Sequence, residues 1–155
     1  MPLLDCNGLK PVSGVPLVTP DELDAAFLAR ADRETLGVAL PNSFDVSALE
    51  SVQDRLELIS IDFPVFNDGR GFTLARMLRK QGYRGTLRAR GSLVPDQFAF
   101  ALECGFDEVE IDEERLARQP VVQWQNALAA FDLAYQKVPG RISIFERRRA
   151  AREAA

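Results

Sequence analysis

The chain contains no histidine and only two cysteines among its 155 residues. The absence of histidine excludes Ser-His-Asp and Cys-His triads, histidine general bases and histidine-containing zinc sites. Cys6 and Cys104 lie 98 positions apart, which gives no metal-ligand spacing and is typical of free thiols in a reducing compartment. No apolar stretch approaches the roughly 20 residues of a membrane-spanning helix, and the N-terminus shows no signal-peptide pattern. We therefore expect a cytoplasmic protein with no membrane partner.

Charge is distributed unevenly along the chain. Residues 1–140 carry 14 Lys and Arg against 21 Asp and Glu, whereas residues 141–155 carry five Arg against two Glu. An acidic body lacks the basic face that nucleic-acid phosphates require, so we expect no nucleic-acid partner. The length suits a single core. We predict one α/β domain over residues 1–140 and a basic C-terminal tail over residues 141–155, either a fraying terminus or an arm that docks on an acidic partner.

Residues 1–18 are an irregular, proline-containing start, and a helix is predicted from Thr19 to near Ala31 with Leu23, Phe27 and Leu28 on its buried face. Four strand candidates then alternate with helical patterns. The candidates are residues 36–40, 56–63, 86–90 and 108–111. This βαβαβαβ order predicts parallel strands joined by right-handed crossovers. A long C-terminal amphipathic helix follows, in which apolar residues recur at alternating spacings of three and four. They are Val121, Trp124, Leu128, Phe131 and Tyr135.

The strand candidates alternate apolar and polar residues instead of forming continuous apolar runs. In the second candidate, Ile59 and Ile61 alternate with Ser60 and Asp62. Because a parallel sheet between two helical layers is apolar on both faces, helices here can cover only one face. The other, polar face must be solvated, covered by a second subunit or curled into a concave interior. The predicted fold is therefore α/β, with a four-stranded parallel sheet of βα units that resembles half of a TIM barrel, whose open edges favour a homodimer.

The polar face supplies the first candidate site. Its charged residues are Asp62, Arg88, Arg90, Glu108 and Glu110. With the strands in sequential order, Asp62, Arg90 and Glu110 lie near the carboxyl ends of the strands, where ligands bind in α/β folds. They form either a ladder of ion pairs that neutralises the face, or a site where arginines bind a small anion and carboxylates orient them or transfer protons. The interleaved arginines oppose a metal, so we expect none.

A glycine-rich loop after the second strand supplies the second candidate site. Its residues are Asn67, Asp68, Gly69, Arg70 and Gly71. Glycines let a backbone approach a ligand closely, and the free N–H groups of the following helix favour anions. Gly69-x-Gly71 begins a dinucleotide-binding fingerprint, but Leu74 replaces its third glycine. At the end of the next strand, where NAD-binding proteins have an acidic residue for the ribose, this chain has Arg90. An arginine at that position can bind the 2′-phosphate of NADP. The alternative is a turn whose glycines serve backbone geometry. No cofactor is evident, and NADP or flavin stays an alternative.

This loop also carries a resemblance to a known family. Phe63-Pro64, Asp68-Gly69-Arg70-Gly71-Phe72, Gly82-Tyr83 and Leu87-Arg88-Ala89 resemble the bacterial domain-of-unknown-function family nine-three-four. Members of that family are commonly encoded beside the sulfite reductase of cysteine biosynthesis, and many are named as oxidoreductases involved in sulfite reduction. The resemblance therefore implies a pathway in sulfur metabolism, but it does not imply a mechanism.

Three functional hypotheses follow. The first is an accessory protein of assimilatory sulfite reduction, without catalysis of its own, that binds a sulfite reductase component or a small anion at the carboxyl ends of the strands. The second is an oxidoreductase that borrows NADP or flavin, because protein side chains alone carry no hydride. The third is a homodimeric scaffold whose polar faces or edges meet. The sequence identifies no catalytic residue.

Overall fold

The computed structural model describes residues 1–29 and 35–130. Within these residues the chain forms an α/β architecture with a seven-stranded mixed sheet. The strands are β1 (Leu3–Asp5), β2 (Gly8–Lys10), β3 (Leu17–Val18), β4 (Gly37–Leu40), β5 (Leu58–Phe63), β6 (Thr86–Gly91) and β7 (Glu108–Glu110). The α-helices are α1 (Leu23–Ala29), α2 (Arg70–Lys80), α3 (Pro95–Cys104), α4 (Glu113–Arg118) and α5 (Val121–Ala130). Short 3-10 helices cover Pro20–Glu22, Val46–Leu49 and Gln53–Arg55.

The strands lie in the order β2-β1-β7-β6-β5-β4-β3. Strands β3 to β7 pair in parallel, whereas β1 pairs antiparallel with both β2 and β7. The four predicted strands are thus parallel neighbours, but the prediction of a four-stranded sheet is wrong, because the first 18 residues add three short strands at the two edges. Half-barrel curvature stays a prediction. Ala31, Phe131, Tyr135 and the basic tail lie outside the described residues.

The apolar face of the sheet carries the core. Ile59, Ile61, Leu87 and Val109 point to this face and are fully buried. Period-2 alternation puts them all on one side, and the helices that follow the strands cover that side. Trp124 of α5 is also fully buried and packs edge to face on Phe98 of α3, with ring centroids 5.7 Å apart. Trp124 therefore belongs to the core, as its helical spacing predicts.

Helices α2 and α3 end in the same way. Gly82 and Gly105 take positive φ angles of +98° and +106°. After each glycine, a backbone N–H turns back to the helix: Tyr83 donates to the carbonyl of Leu78 at 3.1 Å, and Phe106 donates to that of Ala101 at 3.2 Å. Both aromatic rings are buried. This arrangement satisfies carbonyls at the helix end and directs the chain into the next parallel strand.

A six-residue crossing segment, residues 11–16, joins β2 at one edge of the sheet to β3 at the other. It passes over the polar face, where the Arg88 guanidinium donates a hydrogen bond to Ser13 Oγ at 2.5 Å. At its start, Lys10 Nζ lies 2.6 Å from Glu108 Oε2, and at its end the N–H of Gly37 donates to the carbonyl of Pro16 at 2.9 Å. The protein's own N-terminal segment thus covers part of the polar face.

Candidate functional site

The strand register brings the predicted polar-face residues together. Asp62, Arg90 and Glu110 form one row across β5, β6 and β7, near the carboxyl ends of these strands. The preceding row contains Ser60, Arg88 and Glu108. These rows follow from the period of two in each strand and from the parallel, in-order pairing. The charged residues of the polar face thus alternate in sign from strand to strand, and Ser60 is the one uncharged member of the two rows.

Arg88 is the centre of a closed ionic network on this face. Its Nε donates to Glu108 Oε1 at 2.7 Å, and its Nη1 donates to Glu110 Oε2 at 3.2 Å. Only 4% of the Arg88 side chain and 1% of the Glu108 side chain are exposed. The second oxygen of Glu108 accepts from Lys10, and this hydrogen bond raises the pKa of Lys10. Two cations thus face two carboxylates, and all three guanidinium nitrogens of Arg88 already have protein partners.

Arg90 and Asp62 form a separate pair at the border of the polar face. Arg90 Nε donates to Asp62 Oδ1 at 2.7 Å, and this hydrogen bond raises the pKa of Arg90. The two side chains are 34% and 40% exposed. Water therefore reaches this pair, in contrast to the buried network around Arg88.

The glycine-rich loop is organised by Asp68. Its carboxylate accepts hydrogen bonds from the backbone N–H, Nε and Nη2 of Arg70, the last at 2.6 Å. The carboxylate also accepts a hydrogen bond at 2.8 Å from Nδ2 of Asn42, a residue in the loop after β4. The contacts with Arg70 hold the pKa of Asp68 far below its usual range. The loop after β5 is thereby fixed both to the start of α2 and to the loop after β4.

Two further contacts fix the loop at Phe66. Gln97 Nε2, on α3, donates to the Phe66 carbonyl at 2.6 Å, and the N–H of Asp68 donates to the Val65 carbonyl at 3.2 Å. The Phe66 side chain is nevertheless 58% exposed, and Val65 and Asn67 are exposed beside it. The loop, residues 64–69, is thus a fixed backbone that presents apolar side chains to solvent.

Gly69, at the end of the loop, and Gly71, in the first turn of α2, differ in their surroundings. A Cβ on Gly71 would lie 2.5 Å from the ring of Phe63, whereas a Cβ on Gly69 would meet only Phe72, at 3.9 Å. Gly71 is therefore required by the close packing of α2 on β5. A dinucleotide site needs a glycine that faces the pyrophosphate and, for NADP, an arginine free to bind the 2′-phosphate. Gly71 faces Phe63 and Arg90 bonds Asp62, so these residues do not fit NADP or a flavin dinucleotide.

An open cleft of about 270 Å³ borders the loop. Its lining residues are Asn42, Ser43, Phe44, Arg70, Thr73 and Leu74. Arg70 thus reaches a cleft, but neither Arg88 nor Arg90 lines it. Over residues 1–29 and 35–130, no three acidic or thiol side chains converge as metal ligands would. Over the same residues, no helix has the length and apolar character needed to cross a membrane.

The matched family covers this whole region. The family model described as "Bacterial protein of unknown function (DUF934)" matches residues 37–144, from β4 past the end of α5. The chain belongs to this family. The resemblance carried by the loop motifs is thereby confirmed. A comparison with curated proteins finds no match to the chain. Within the DUF934 match lie the loop, the cleft and three strands of the ionic array, whereas β1, β2, β3 and the crossing segment precede it.

Sequence reasoning missed four residues that shape these sites, and one of them is Lys10, which pairs with Glu108. Asn42 and Gln97 fix the loop, and Ser13 covers Arg88. Asn42 could have been found, because a Pro-Asn-Ser turn directly follows the carboxyl end of a predicted strand. Gln97 and Ser13 are single polar residues in a helix and an irregular segment, and no local pattern distinguishes them.

Proposed function

We propose that this protein is an accessory protein, without catalysis of its own, that binds a protein partner through the loop at residues 64–69. The observation that carries the proposal is the exposed Phe66 on a backbone held by Gln97 and by the Asp68–Arg70 contacts. Aromatic side chains dominate the binding energy of many interfaces. A backbone that is already fixed loses little conformational freedom when a partner binds, so more of the contact energy appears as affinity.

The state of the charged groups supports binding over catalysis. Arg88 is buried and bonded to two carboxylates, and Arg70 and Arg90 each bond one. Burial raises the pKa of the Cys104 thiol, which disfavours the nucleophilic thiolate. All three guanidinium nitrogens of Arg88 already have protein partners, and a bonded carboxylate offsets the charge of Arg70 and of Arg90, so an added anion would compete with these carboxylates. We therefore favour an apolar protein contact over a small-anion site.

The family resemblance supports the choice of partner. It implies assimilatory sulfite reduction, so the proposed partner is a component of sulfite reductase, and the proposed place of action is the cytoplasm. The exposed pair Val65 and Phe66 would contact an apolar depression on the partner, and the cleft beside Arg70 would receive a partner side chain. Homodimer formation stays a prediction, which light scattering tests directly.

Binding of purified sulfite reductase, measured by biolayer interferometry, tests this proposal. Phe66→Ser should weaken binding by about 30-fold, as expected for the loss of a hot-spot aromatic worth about 2 kcal/mol. Leu28→Ser is the matched control, because Leu28 is an apolar residue on α1 that is 89% exposed. It should leave binding unchanged. No binding by the natural chain, or equal binding by the Phe66 variant, would refute the proposal.

A further inference from the structure

The solvent face of α2 has a charge opposite to that of the whole chain. The helix contains Arg70, Arg76, Arg79 and Lys80 but no Asp or Glu, and Arg84 follows it without an intervening acid. The chain as a whole has a formal net charge of −4. Among the α-helices that the structure describes, this helix and the turn that follows it thus carry an excess of positive charge.

Pairing leaves most of this charge uncompensated. Arg79 lies 2.6 Å from Asp107 and helps hold the turn after the helix. In contrast, Arg76, Lys80 and Arg84 are exposed and have no carboxylate partner within the described residues. Arg76 lies over the ring of Phe100, with 5.4 Å between its guanidinium carbon and the ring centroid. These three side chains thus project a positive field into solvent.

The helix dipole accounts for Lys80 in the last turn but not for Arg76 in the middle of the helix. The dipole of a helix favours cations in its last turn, and Arg79 and Lys80 lie there. The dipole favours anions in the first turn, but the first turn of α2 contains no acidic residue and begins with Arg70. Arg76 and Lys80 are four residues apart, a spacing at which like charges destabilise a helix. A face selected for helix stability alone would carry carboxylates at such positions. The cations therefore point to a partner that supplies the opposite charge.

The face also has the shape of a contact surface. Exposed Arg70, Thr73, Met77 and Lys80 recur at spacings of three and four, so they lie along one side of the helix. The stripe extends about 15 Å at 1.5 Å per residue. Met77 is 42% exposed and adds an apolar contact in the middle of the cations. The stripe begins at Arg70, beside the cleft and the loop that bears Phe66.

We infer that this α2 face docks an acidic surface of a protein partner. The inference rests on the proposed function, because it gives the chemical character of the partner that the loop at residues 64–69 contacts. Opposed charge steers the encounter and fixes the orientation of the docked partner. A protein surface fits better than a nucleic acid, because the chain as a whole is acidic, with a pI of about 5.0. In addition, Asp68 and Asp107 flank the stripe, and their carboxylates would repel a continuous phosphate backbone.

A charge-reversal experiment tests the inference. The probe is a fluorescein-labelled polyglutamate peptide of about 20 residues, followed by fluorescence anisotropy in 20 mM NaCl. Arg76→Glu/Lys80→Glu should weaken binding about tenfold, because two attractive charges at the contact become repulsive. Arg55→Glu/Arg118→Glu is the matched control, with the same change in net charge at exposed cations elsewhere, and should bind like the natural chain. Arg76→Gln/Lys80→Gln, with less effect on folding, should weaken binding by an intermediate factor.

The outcomes separate this inference from the proposed function. Polyglutamate binding that is absent, or that falls equally in both reversal variants, would overturn the inference. Tighter binding of a 12-base-pair DNA duplex than of polyglutamate, lost in the Arg76/Lys80 variant, would assign the face to nucleic acid and also overturn it. Phe66→Ser should not change polyglutamate binding. Failure of the loop to bind sulfite reductase is therefore recognised separately from failure of the α2 face to bind an acidic chain.

Discussion

Replacement of Arg88 by leucine should destabilise the fold much more than the same replacement of Arg90, two residues later on the same face of β6. Arg88→Leu leaves Glu108, which is almost completely buried, with Lys10 as its remaining cation. Arg90→Leu releases Asp62 into water, because that pair is partly exposed. The two variants thus remove the same charge from the same strand and differ in whether the orphaned carboxylate can be hydrated.

The expected magnitudes follow from burial. Removal of one partner from a buried ion pair costs about 3–5 kcal/mol. Since Lys10 stays 2.6 Å from Glu108, we expect the lower end, about 3 kcal/mol, for Arg88→Leu. A solvent-exposed pair contributes about 0–1 kcal/mol, which sets the expectation for Arg90→Leu. For a chain of this length the difference of about 2–3 kcal/mol corresponds to a difference of about 4–12 °C in Tm.

Urea unfolding followed by tryptophan fluorescence measures these free energies, because the single tryptophan, Trp124, lies in the core. Thermal unfolding by circular dichroism provides the Tm values. Equal destabilisation by the two substitutions, or a larger effect at Arg90, would refute the assignment of Arg88 to a buried structural network. The same result would return Arg88 to the set of residues available to a ligand.

Two further predictions concern packing and thiol reactivity. Gly71→Ala should cost about 1–3 kcal/mol in urea unfolding, because its methyl group would overlap the Phe63 ring. Gly69→Ala, whose methyl group would only touch Phe72 at 3.9 Å, should stay within about 0.5 kcal/mol. Equal costs would contradict the packing argument. At pH 8, iodoacetamide should label exposed Cys6 and spare Cys104, whose buried thiol has a raised pKa and stays protonated. Mass spectrometry of the two peptides measures this, and equal labelling would show that Cys104 is accessible.

The parallel strands and helix ends were predictable because their signals are local. Gly82 and Gly105, each followed by an aromatic residue, mark helix ends through the left-handed conformation that glycine adopts. The alternation of Ser60 and Asp62 with isoleucines fixes which face each side chain occupies. These features need only neighbouring residues, so the sequence contains them in full.

The N-terminal strands and one helix face were not predictable in the same way. Strands β1, β2 and β3 have only two or three residues, too few for an alternation pattern, and their pairing depends on distant strands. The apolar spacing in α1 predicts that Leu28 is buried, which is wrong, since it is 89% exposed. The helix begins with a 3-10 turn over Pro20–Glu22. Its three residues per turn rotate the later side chains relative to an α-helix from Thr19 onward.

The candidate sites show the same division. Alternation and strand order predict that Asp62, Arg90 and Glu110 form one row, and the register places them so. Burial of Arg88 was not predictable, because it depends on Ser13 and on the path of the crossing segment. Sequence patterns specify which side chains share a face, but they do not specify what covers that face when the cover comes from a segment without regular structure.

The path of the crossing segment has a consequence for the curvature of the sheet. Six gaps of about 4.8 Å would hold the outermost strands of a flat seven-stranded sheet about 29 Å apart. Seven steps of chain, from Lys10 to Leu17, reach at most about 25 Å. The crossing segment can join the two edge strands only if the sheet curves toward the polar face, over which the segment passes. Residues that precede the family match would therefore set the arch of strands that lie within it.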